Sequence, residues 1–234
     1  MLDHRKWFAP LLLLVSVCRA DGLGGDVGVA SDEVFRGLSQ SDHEWSPQVD
    51  LHYSQSGWYA GLTALNVRRL PYYTEGAGLI GYLGYQYRLS DDWAASFAAR
   101  HYDYLGYGSR HDDYVYDEGA VSLSWRELIV ATVIAAPNVW FADFEGHHGR
   151  GAAYTYELGG RLPLAQGFCV NAGIGYYNLD KQIGTGYAYG SAGLSKQWRS
   201  VNFDLRYVGT DETAKRRFEQ FAENRLVFSV LYLF

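Results

Sequence analysis

The chain ends in the stretch "RLVFSVLYLF" (residues 225–234), whose last residue is aromatic. Side chains alternate between the two faces of a β-strand, so this stretch would align five side chains on one face: Leu226, Phe228, Val230, Tyr232 and Phe234. The last residues of a soluble domain usually fray in water. An apolar stripe that continues to the final residue therefore predicts a strand that faces lipid, in the wall of a transmembrane β-barrel.

The same stripe predicts how the chain is assembled. A terminal Phe with apolar residues at every second position before it resembles the carboxy-terminal signal that the barrel assembly machinery reads on outer-membrane barrels. We therefore assign an assembly signal to Phe228, Val230, Tyr232 and Phe234. An ordinary edge strand is the alternative, and it explains the alternation but not the position at the chain end.

The composition agrees with strands that have one apolar and one polar face. The 234 residues include 20 Tyr, 11 Phe, 7 Trp and 27 Gly but only 2 Cys and 1 Met, which favours strands and tight turns over helices. The mean hydropathy is nevertheless −0.20. Two opposite faces cancel in such a mean, so an aromatic-rich chain can still be polar on average.

Residues 1–20 predict a cleaved signal peptide, followed by one barrel domain over residues 21–234. Three basic side chains at residues 4–6 precede an apolar run over residues 7–17, and Ala20 offers a small residue at the cleavage site. A membrane anchor is one alternative, but the run is too short for a spanning helix and contains Pro10. A lipoprotein start at Cys18 is the other.

Cleavage after Ala20 would remove three basic residues and one acidic residue, leaving 17 basic and 25 acidic residues and a formal charge of −8. Such a chain is a poor partner for nucleic acid. Cleavage would also remove Cys18 and leave Cys169 alone, so no internal disulfide is expected in an exported protein of this size.

Segments of about ten residues that alternate apolar and polar side chains recur along the whole chain, and they predict an all-β, up-and-down transmembrane barrel. About twelve antiparallel strands are expected, which is an even number. They lie near residues 26–38, 47–55, 58–67, 77–88, 93–103, 114–125, 126–136, 152–163, 168–178, 187–198, 201–210 and 224–234.

Short and long connections alternate between these strands, as in barrels with short periplasmic turns and long extracellular loops. Tight turns are predicted at residues 56–57, 90–92, 125–126, 165–167 and 199–200. Aromatic residues lie beside these turns and would form a girdle at the boundary between hydrocarbon and lipid headgroups. The girdle residues are Trp58, Trp93, Trp125, Phe168 and Trp198.

The segment "DVGVASDEVFRGLSQSD" (26–42), followed by "SGWYAGLTALNV" (56–67) and "GYLGYQYRLSDDW" (81–93), resembles the TorF-like porins, a proteobacterial outer-membrane family of about this length. The likeness covers the mature chain and is strongest at its amino end. Its motif pieces are Ser31-Asp32, Phe35-Arg36-Gly37 and Ser39-Gln40. The resemblance implies an outer-membrane barrel with a channel role, and it carries no active site over.

Alternation also predicts which polar side chains face the lumen, because a charge on the lipid face at mid-membrane would cost about 2–4 kcal/mol. On residues 47–55 the inward set is Gln48, Asp50, His52 and Ser54, and on residues 168–178 it includes Cys169. The candidate lumen or selectivity residues are Asp32, Arg36, Asp50, His52, Arg100, Glu118, Glu157, Arg161, Asp204 and Arg206. These charges could order water and select small solutes, or pair with one another and fill the interior, and the two roles are compatible.

Enzymatic and metal chemistry find little support in the sequence. His147 and His148 with Asp143 and Glu145 could offer metal ligands, but adjacent histidines tend to point apart and no second cluster completes a shell. No serine stands in a recognisable hydrolase motif. We therefore expect no enzyme and no cofactor. The charged run over residues 211–225 predicts a solvated loop or a short amphipathic helix at the barrel mouth.

The sequence thus predicts an outer-membrane channel for passive diffusion of small polar or charged solutes, in contact with outer-membrane lipids. Two alternatives remain open. One is a plugged barrel that serves as a scaffold for adhesive or partner-binding loops, and the other is an outer-membrane hydrolase.

Overall fold

The computed structural model describes residues 21–69, 74–106, 115–142 and 148–234. Within these residues, twelve antiparallel strands form one closed barrel, and two very short strands, β2 (Val34–Phe35) and β3 (Leu38–Ser39), form a separate hairpin, so the predicted fold class is confirmed. The barrel strands are β1 (Gly22–Ala30), β4 (Ser46–Gln55), β5 (Trp58–Arg69), β6 (Thr74–Arg88), β7 (Trp93–Leu105), β8 (Tyr116–Trp125), β9 (Ile129–Ala142), β10 (His148–Pro163), β11 (Phe168–Leu179), β12 (Thr185–Trp198), β13 (Val201–Thr210) and β14 (Arg225–Leu233).

Each barrel strand pairs with its neighbours in the chain, and β1 closes the sheet by pairing with both β4 and β14. Beyond the ladder, Gly25 and Phe234 exchange two backbone hydrogen bonds of 3.0 Å, so the last residue takes part in the closure. Closure matters because a free strand edge would leave a row of unpaired backbone donors and acceptors. The barrel has no such edge.

The barrel has two unlike ends, which we call the turn end and the loop end. At the turn end, five connections of two to four residues join the strands, and they include all the predicted tight turns. The loop end carries six connections, of which residues 31–45 and 211–224 are the longest. The candidate metal ligands Asp143, Glu145 and His147, like residues 1–20, lie outside the described residues.

Exposed and buried side chains alternate along the wall strands, as expected when successive side chains point to opposite faces of a sheet. On β14, Leu226 and Tyr232 are 67% and 51% exposed, whereas Val227 and Leu231 between them are buried. On β11, Val170 and Ile174 are exposed while Cys169 and Tyr177 are buried. The exposed apolar set covers the outside of the barrel and the buried set fills its inside.

The first predicted strand is wrong in its bounds. It was expected near residues 26–38, but β1 ends at Ala30 and the chain then leaves the wall. Ser31 still bonds to Phe228 of β14, because its amide donates to the Phe228 carbonyl (2.8 Å) and its hydroxyl accepts from the Phe228 amide (3.0 Å). The chain then forms β2 (Val34–Phe35) and β3 (Leu38–Ser39), which pair with each other and not with a described wall strand.

Strand β9 is longer than its predicted range of 126–136. A proline lacks the amide that a ladder needs and is tolerated at bulges. The register between β9 and β10 shifts between Gly151 and Ala153, opposite the stretch that contains Pro137. The bulge lets β9 continue past Pro137 to Ala142.

The helical elements are short and lie at the loop end, apart from one helical turn at residues 165–167. Helix α1 covers Asp180–Ile183, and helix α2 covers Glu212–Phe218, followed by a 3-10 turn at Glu219–Ala222. Among the described residues, none of the helices is long and apolar enough to cross a membrane.

Candidate functional site

The loop of residues 31–45 turns into the barrel and carries the β2–β3 hairpin, which we call the inner hairpin (residues 34–39). The Phe35 ring lies edge-on against Tyr102 of β7, with 5.9 Å between ring centroids. On the other side, Gly37 packs against Tyr189 of β12 and Thr210 of β13. The inner hairpin therefore contacts wall strands on both sides of the lumen.

The tip of the inner hairpin is a two-residue turn formed by Arg36 and Gly37. Both residues have positive φ angles, 51° and 83°, as the commonest tight hairpin turn requires. A Cβ atom at residue 37 would lie 2.6 Å from Cγ2 of Thr210 and 2.7 Å from Cβ of Tyr189. Glycine is needed here for both the backbone conformation and the space.

Arg36 forms a buried ion pair with Glu118 on β8. Its Nη2 donates to Glu118 Oε1 at 2.7 Å, and the two side chains are 4% and 0% exposed. Tyr102 Oη also donates to Glu118 Oε2 (3.1 Å), and Arg100 Nη1 lies 3.8 Å from the same atom. Desolvating two charges is costly, so such a pair is maintained only where further hydrogen bonds support it.

Aromatic rings surround the Arg36 guanidinium. Its central carbon lies 4.4 Å from the ring centroid of Phe35 and 4.5 Å from that of Tyr177. Burial by itself would lower the pKa of Arg36, but Glu118 and the neighbouring tyrosines raise it above its ordinary value. The guanidinium therefore stays charged and holds the tip in place.

Asp32 organises the base of the same loop. Its Oδ1 accepts hydrogen bonds from the hydroxyls of Ser39 (2.6 Å) and Ser41 (3.0 Å). Its Oδ2 lies 2.9 Å from Nη1 of Arg225, and this ion pair is buried, with 5% and 8% of the side chains exposed. A second ion pair thus fastens the loop to the start of β14.

Apolar and aromatic side chains fill the lumen near the loop end. The cluster spans strands β5 to β12, and Phe35 and Leu38 of the inner hairpin pack against it. Tyr102 stacks on Tyr116 with 4.5 Å between ring centroids, and both are buried. The other buried members are Val67, Ile80, Tyr104, Ala136, Ala153, Tyr177, Leu179, Tyr187, Tyr189, Ala214 and Ala222. This layer packs around the inner hairpin.

The connection of residues 211–224 lies over the loop of residues 31–45, which we call the inner loop. Asp211 caps helix α2 by accepting from the Ala214 amide (2.9 Å), and Phe218 at the end of the helix packs edge-on against Tyr187. The Gln220 carbonyl lies 3.1 Å from Nε2 of His43 in the inner loop. The charged run is therefore a short helix that covers the barrel mouth, one of the two alternatives from the sequence.

The other candidate lumen residues lie on the inner face of the wall, away from the inner hairpin in several cases. Asp204 and Arg206 on β13 approach to 3.1 Å. Tyr189 Oη donates to Glu157 Oε1 (2.5 Å). Arg161 lies at the turn end, where its Nε donates to the Glu127 carbonyl (2.6 Å).

Asp32 and Arg36 were predicted as part of the first strand, and this placement is wrong, because both belong to the inner loop. Among the candidate residues, the structure has ion pairs between Arg36 and Glu118, Arg100 and Glu118, and Arg206 and Asp204. Asp32 instead pairs with Arg225. The sequence analysis did not select Arg225, because this residue was counted as the end of the charged run over residues 211–225. Alternation along β14 nevertheless predicts that its side chain faces inward.

A second polar cluster, which we call the acidic cluster, lies on β1, β4, β5 and β6. Asp50 accepts from Thr63 Oγ1 (2.7 Å) and Tyr82 Oη (2.9 Å), and its Oδ1 lies 2.7 Å from Nδ1 of His52. Asp26 faces Asp50 directly in the register of β1 and β4. The sequence singled out Asp50 and His52 but not Asp26, Thr63 or Tyr82.

The predicted girdle residues all lie beside the turn end. Trp58, Trp93 and Trp198 are 56%, 43% and 59% exposed on the outer face, and Trp93 is the register partner of Trp125. Lys196 lies over the Phe168 ring, 4.2 Å from its centroid. Their contact with a membrane interface stays a prediction.

Comparison with solved structures gives the same architecture at low sequence identity. A structure titled NanC porin aligns with a TM-score of 0.56 and 12% identity, covering 90% of this chain and 98% of that one. The KdgM porin solved with disordered oligogalacturonate gives a TM-score of 0.53 at 8% identity, with the same coverage. An outer-membrane channel from Pseudomonas putida F1 gives 0.53 at 11% identity, covering 93% and 96%. These similarities establish a porin-like barrel fold.

The search of curated proteins finds no match. The family model that matches residues 20–234 describes a bacterial protein of unknown function. The TorF-like name that the sequence resemblance suggested stays a prediction. Because the match spans nearly the whole chain, the protein belongs to this bacterial family of unknown function, Gcw_chp.

Proposed function

We propose that the protein is a channel of the bacterial outer membrane, through which small polar or charged solutes diffuse passively and in which the inner hairpin controls passage. The turn end would face the periplasm and the loop end the exterior. The closed barrel, its apolar outer face and its porin-like fold support this proposal. The apolar outer face would contact outer-membrane lipids, and the Phe234 stripe would be read by the barrel assembly machinery.

The inner hairpin is the observation that carries the proposal. A wall strand cannot leave the barrel without opening it, but the inner loop belongs to no wall ladder. It is fastened by two buried ion pairs, Arg36–Glu118 and Asp32–Arg225, and by packing of Phe35 and Leu38. Withdrawal of this segment would open the loop end while leaving the barrel closed.

Polar side chains of the lumen would then filter the solute. Arg100, Asp204 and Arg206 are buried on the inner wall, as is the acidic cluster's Asp26, and Arg206 lies 3.1 Å from Asp204 on the same strand. Such an arrangement orders water and favours small charged or polar solutes over apolar ones. A twelve-stranded barrel is wider than an eight-stranded one and much narrower than a sixteen-stranded porin.

Planar-bilayer recording of the protein purified from outer membranes tests the proposal. We expect single-channel current steps that are rare in the wild type and frequent in a variant that lacks residues 33–40. Deletion keeps both ends of the loop and every wall strand, so the barrel should still form. Absence of current in both proteins would overturn the channel function.

A second candidate function is a closed barrel that displays its loops as a scaffold. The aromatic cluster favours it, because Tyr102, Tyr187 and Val67 at the loop end are fully buried. A scaffold would stay silent in bilayers with or without residues 33–40. Release of fatty acid from lipid by a silent protein would instead indicate a hydrolase.

A further inference from the structure

We infer that the acidic cluster on β1, β4, β5 and β6 is a binding site for a small solute that carries a primary ammonium group. The inference goes beyond the proposed channel function, because binding to the inner wall can be measured in a barrel that conducts nothing. It is argued from Asp26, Asp50 and the side chains around them.

Two carboxylates stand directly opposite each other in this cluster. Asp26 on β1 and Asp50 on β4 are register partners, and both side chains point inward. Like charges in directly opposite positions of an antiparallel pair destabilise it. Two adjacent acids in this position would be stabilised by a positive group placed between or above them.

Asp50 is held as an acceptor by three different residues. Thr63 Oγ1 and Tyr82 Oη donate to it, and His52 Nδ1 lies at hydrogen-bond distance. Several donors to one carboxylate favour its charged form. Asp50 therefore contributes a fixed negative charge to the cluster.

Asp26 supplies an acceptor that the protein leaves unused. Its side chain is only 6% exposed, and Gln48 is a side-chain hydrogen-bond partner of its carboxylate. Its Oδ1 is nevertheless buried and has no hydrogen-bond partner among the described residues. A buried acceptor without a donor is costly, and a ligand that donates a hydrogen bond would remove this cost.

Glycines on the neighbouring strands make room for the rings of this cluster. A Cβ atom at Gly24 would lie 2.9 Å from Nε2 of His52, and one at Gly61 would overlap Tyr82 Oη. Tyr82 can therefore reach from β6 across β5 to Asp50 on β4. The Tyr59 and Tyr82 rings, with centroids 6.4 Å apart, add aromatic surface that attracts a cation.

The chemistry of the cluster selects an ammonium group rather than a metal ion. The described residues contain no group of three or more His, Cys, Asp and Glu side chains placed to hold a metal. An ammonium group needs only hydrogen-bond acceptors and negative charge, both of which Asp26 and Asp50 provide. The Asp50 and His52 side chains are 15% and 12% exposed, so the cluster is not sealed from the lumen.

Methylammonium and tetramethylammonium are matched probes for this site, because both carry one positive charge but only methylammonium has N–H donors. The purified protein in detergent would be unfolded with urea, which is uncharged, in increasing concentrations of each chloride salt, with potassium chloride keeping the ionic strength constant. We expect methylammonium alone to raise the unfolding midpoint, and the rise to saturate as binding to one site requires.

Asp26→Asn is the decisive variant, and it should fold, because it removes one of two facing charges. Without methylammonium we expect it to be at least as stable as the wild type, and its apparent affinity for methylammonium should fall at least tenfold. Asp50→Asn is the second variant with the same expected loss. Asp180→Asn, an exposed acid in α1 outside the lumen, is the control and should bind as the wild type does.

If methylammonium raises the unfolding midpoint of the wild type no more than potassium does, the proposed site is excluded. An equal response in Asp26→Asn would exclude it as well. This test does not depend on the channel function. If the protein gives no current in bilayers but binds methylammonium, the site is supported and only the transport proposal is excluded.

Discussion

Arg36 at the tip of the inner hairpin and Glu118 on β8 are 82 residues apart in the chain, yet their Nη2 and Oε1 atoms are 2.7 Å apart. Neither side chain is reached by solvent to more than 4% of its surface. A wall strand and a segment that belongs to no wall strand are thus joined by a desolvated pair of opposite charges. We expect this pair to hold the inner hairpin inside the barrel.

The first prediction is that Glu118→Gln releases the inner hairpin. The amide keeps the size of the side chain but removes the carboxylate that the buried Arg36 contacts, a loss of about 3–5 kcal/mol in buried pairs. A loss of this size shifts the equilibrium between inserted and withdrawn hairpin by at least about a hundredfold. Planar-bilayer recordings should show a large increase in the fraction of time that current flows.

Two further variants decide whether the ion pair is the cause. Asp117→Asn changes the preceding residue, whose side chain is on the exposed outer face, and should record like the wild type. Arg36→Met removes the positive charge of the same ion pair. The hairpin of this variant should stay inserted more firmly than the hairpin of Glu118→Gln. If Glu118→Gln and Asp117→Asn give the same currents, the pair does not hold the hairpin.

The second prediction concerns the thiol of Cys169, which points inward near the turn end and is 2% exposed. We expect a charged thiol reagent to modify it at least tenfold more slowly than a cysteine placed at residue 56, an exposed turn position. Mass spectrometry of the intact protein measures the rates, with Cys18 replaced by serine in both chains. Equal rates would show a lumen that is open at the depth of Cys169.

The sequence predicts the wall of this barrel better than its interior. Alternation with a period of two is set by the backbone and by the contrast between lipid and lumen, so residues such as Val170 and Cys169 could be assigned to opposite faces without a structure. The inner hairpin is too short to show a period, and the adjacent apolar residues Val34 and Phe35 were expected to continue β1. The signal that was available is Arg36-Gly37, a glycine-containing pair between two short apolar segments, which is typical of a two-residue hairpin turn.

Ion-pair partners could not be predicted at all, because they depend on distances across the lumen rather than along the chain. Glu118 was expected to pair with one of four arginines, and the structure selects Arg36 only because the loop that carries it turns inward. Asp26 was not among the candidate lumen residues, although its position on β1 turns it toward Asp50.

The third prediction is a pH dependence that originates at Glu33 in the inner loop. Burial raises the pKa of Glu33 from 4.5 to about 7, with Arg206 lowering it and Asp32 raising it. The folded protein therefore holds this proton more tightly than the unfolded chain does. The stabilising contribution is complete below about pH 4.5 and is lost as the pH rises to about 7, by up to about 3 kcal/mol.

Glu33→Gln should remove this part of the pH profile. Guanidinium unfolding midpoints between pH 4.5 and pH 7.5 would fall less steeply in the variant than in the wild type, and at the upper pH the variant should be the more stable protein. Glu212→Gln is the control, because that side chain is 73% exposed in helix α2. Parallel profiles for the wild type and Glu33→Gln would contradict the prediction.

The last prediction concerns the seam at which the barrel closes. The backbone of Phe234 exchanges two hydrogen bonds with Gly25. The Phe234 ring also lies so close to Gly25 that a Cβ atom there would be 2.9 Å from it. Phe234 thus secures the end of β14 against β1 with its backbone and covers the seam with its ring, in addition to its proposed role as part of an assembly signal.

These two roles predict different behaviour for different variants. Phe234→Ala keeps the backbone bonds and should fold in detergent at a nearly normal rate, but in cells it should give at least threefold less folded barrel if the aromatic ring is read during assembly. Deletion of residue 234 also removes the two seam bonds and should slow folding in detergent as well. Leu226→Ala, which removes an equally exposed apolar side chain from the other end of β14, is the control. Folded and unfolded forms are separated by their electrophoretic mobility without heating. A Phe234→Ala yield in cells equal to that of Leu226→Ala would exclude the ring from the signal, because the loss of exposed apolar surface on the outer face would then explain both variants.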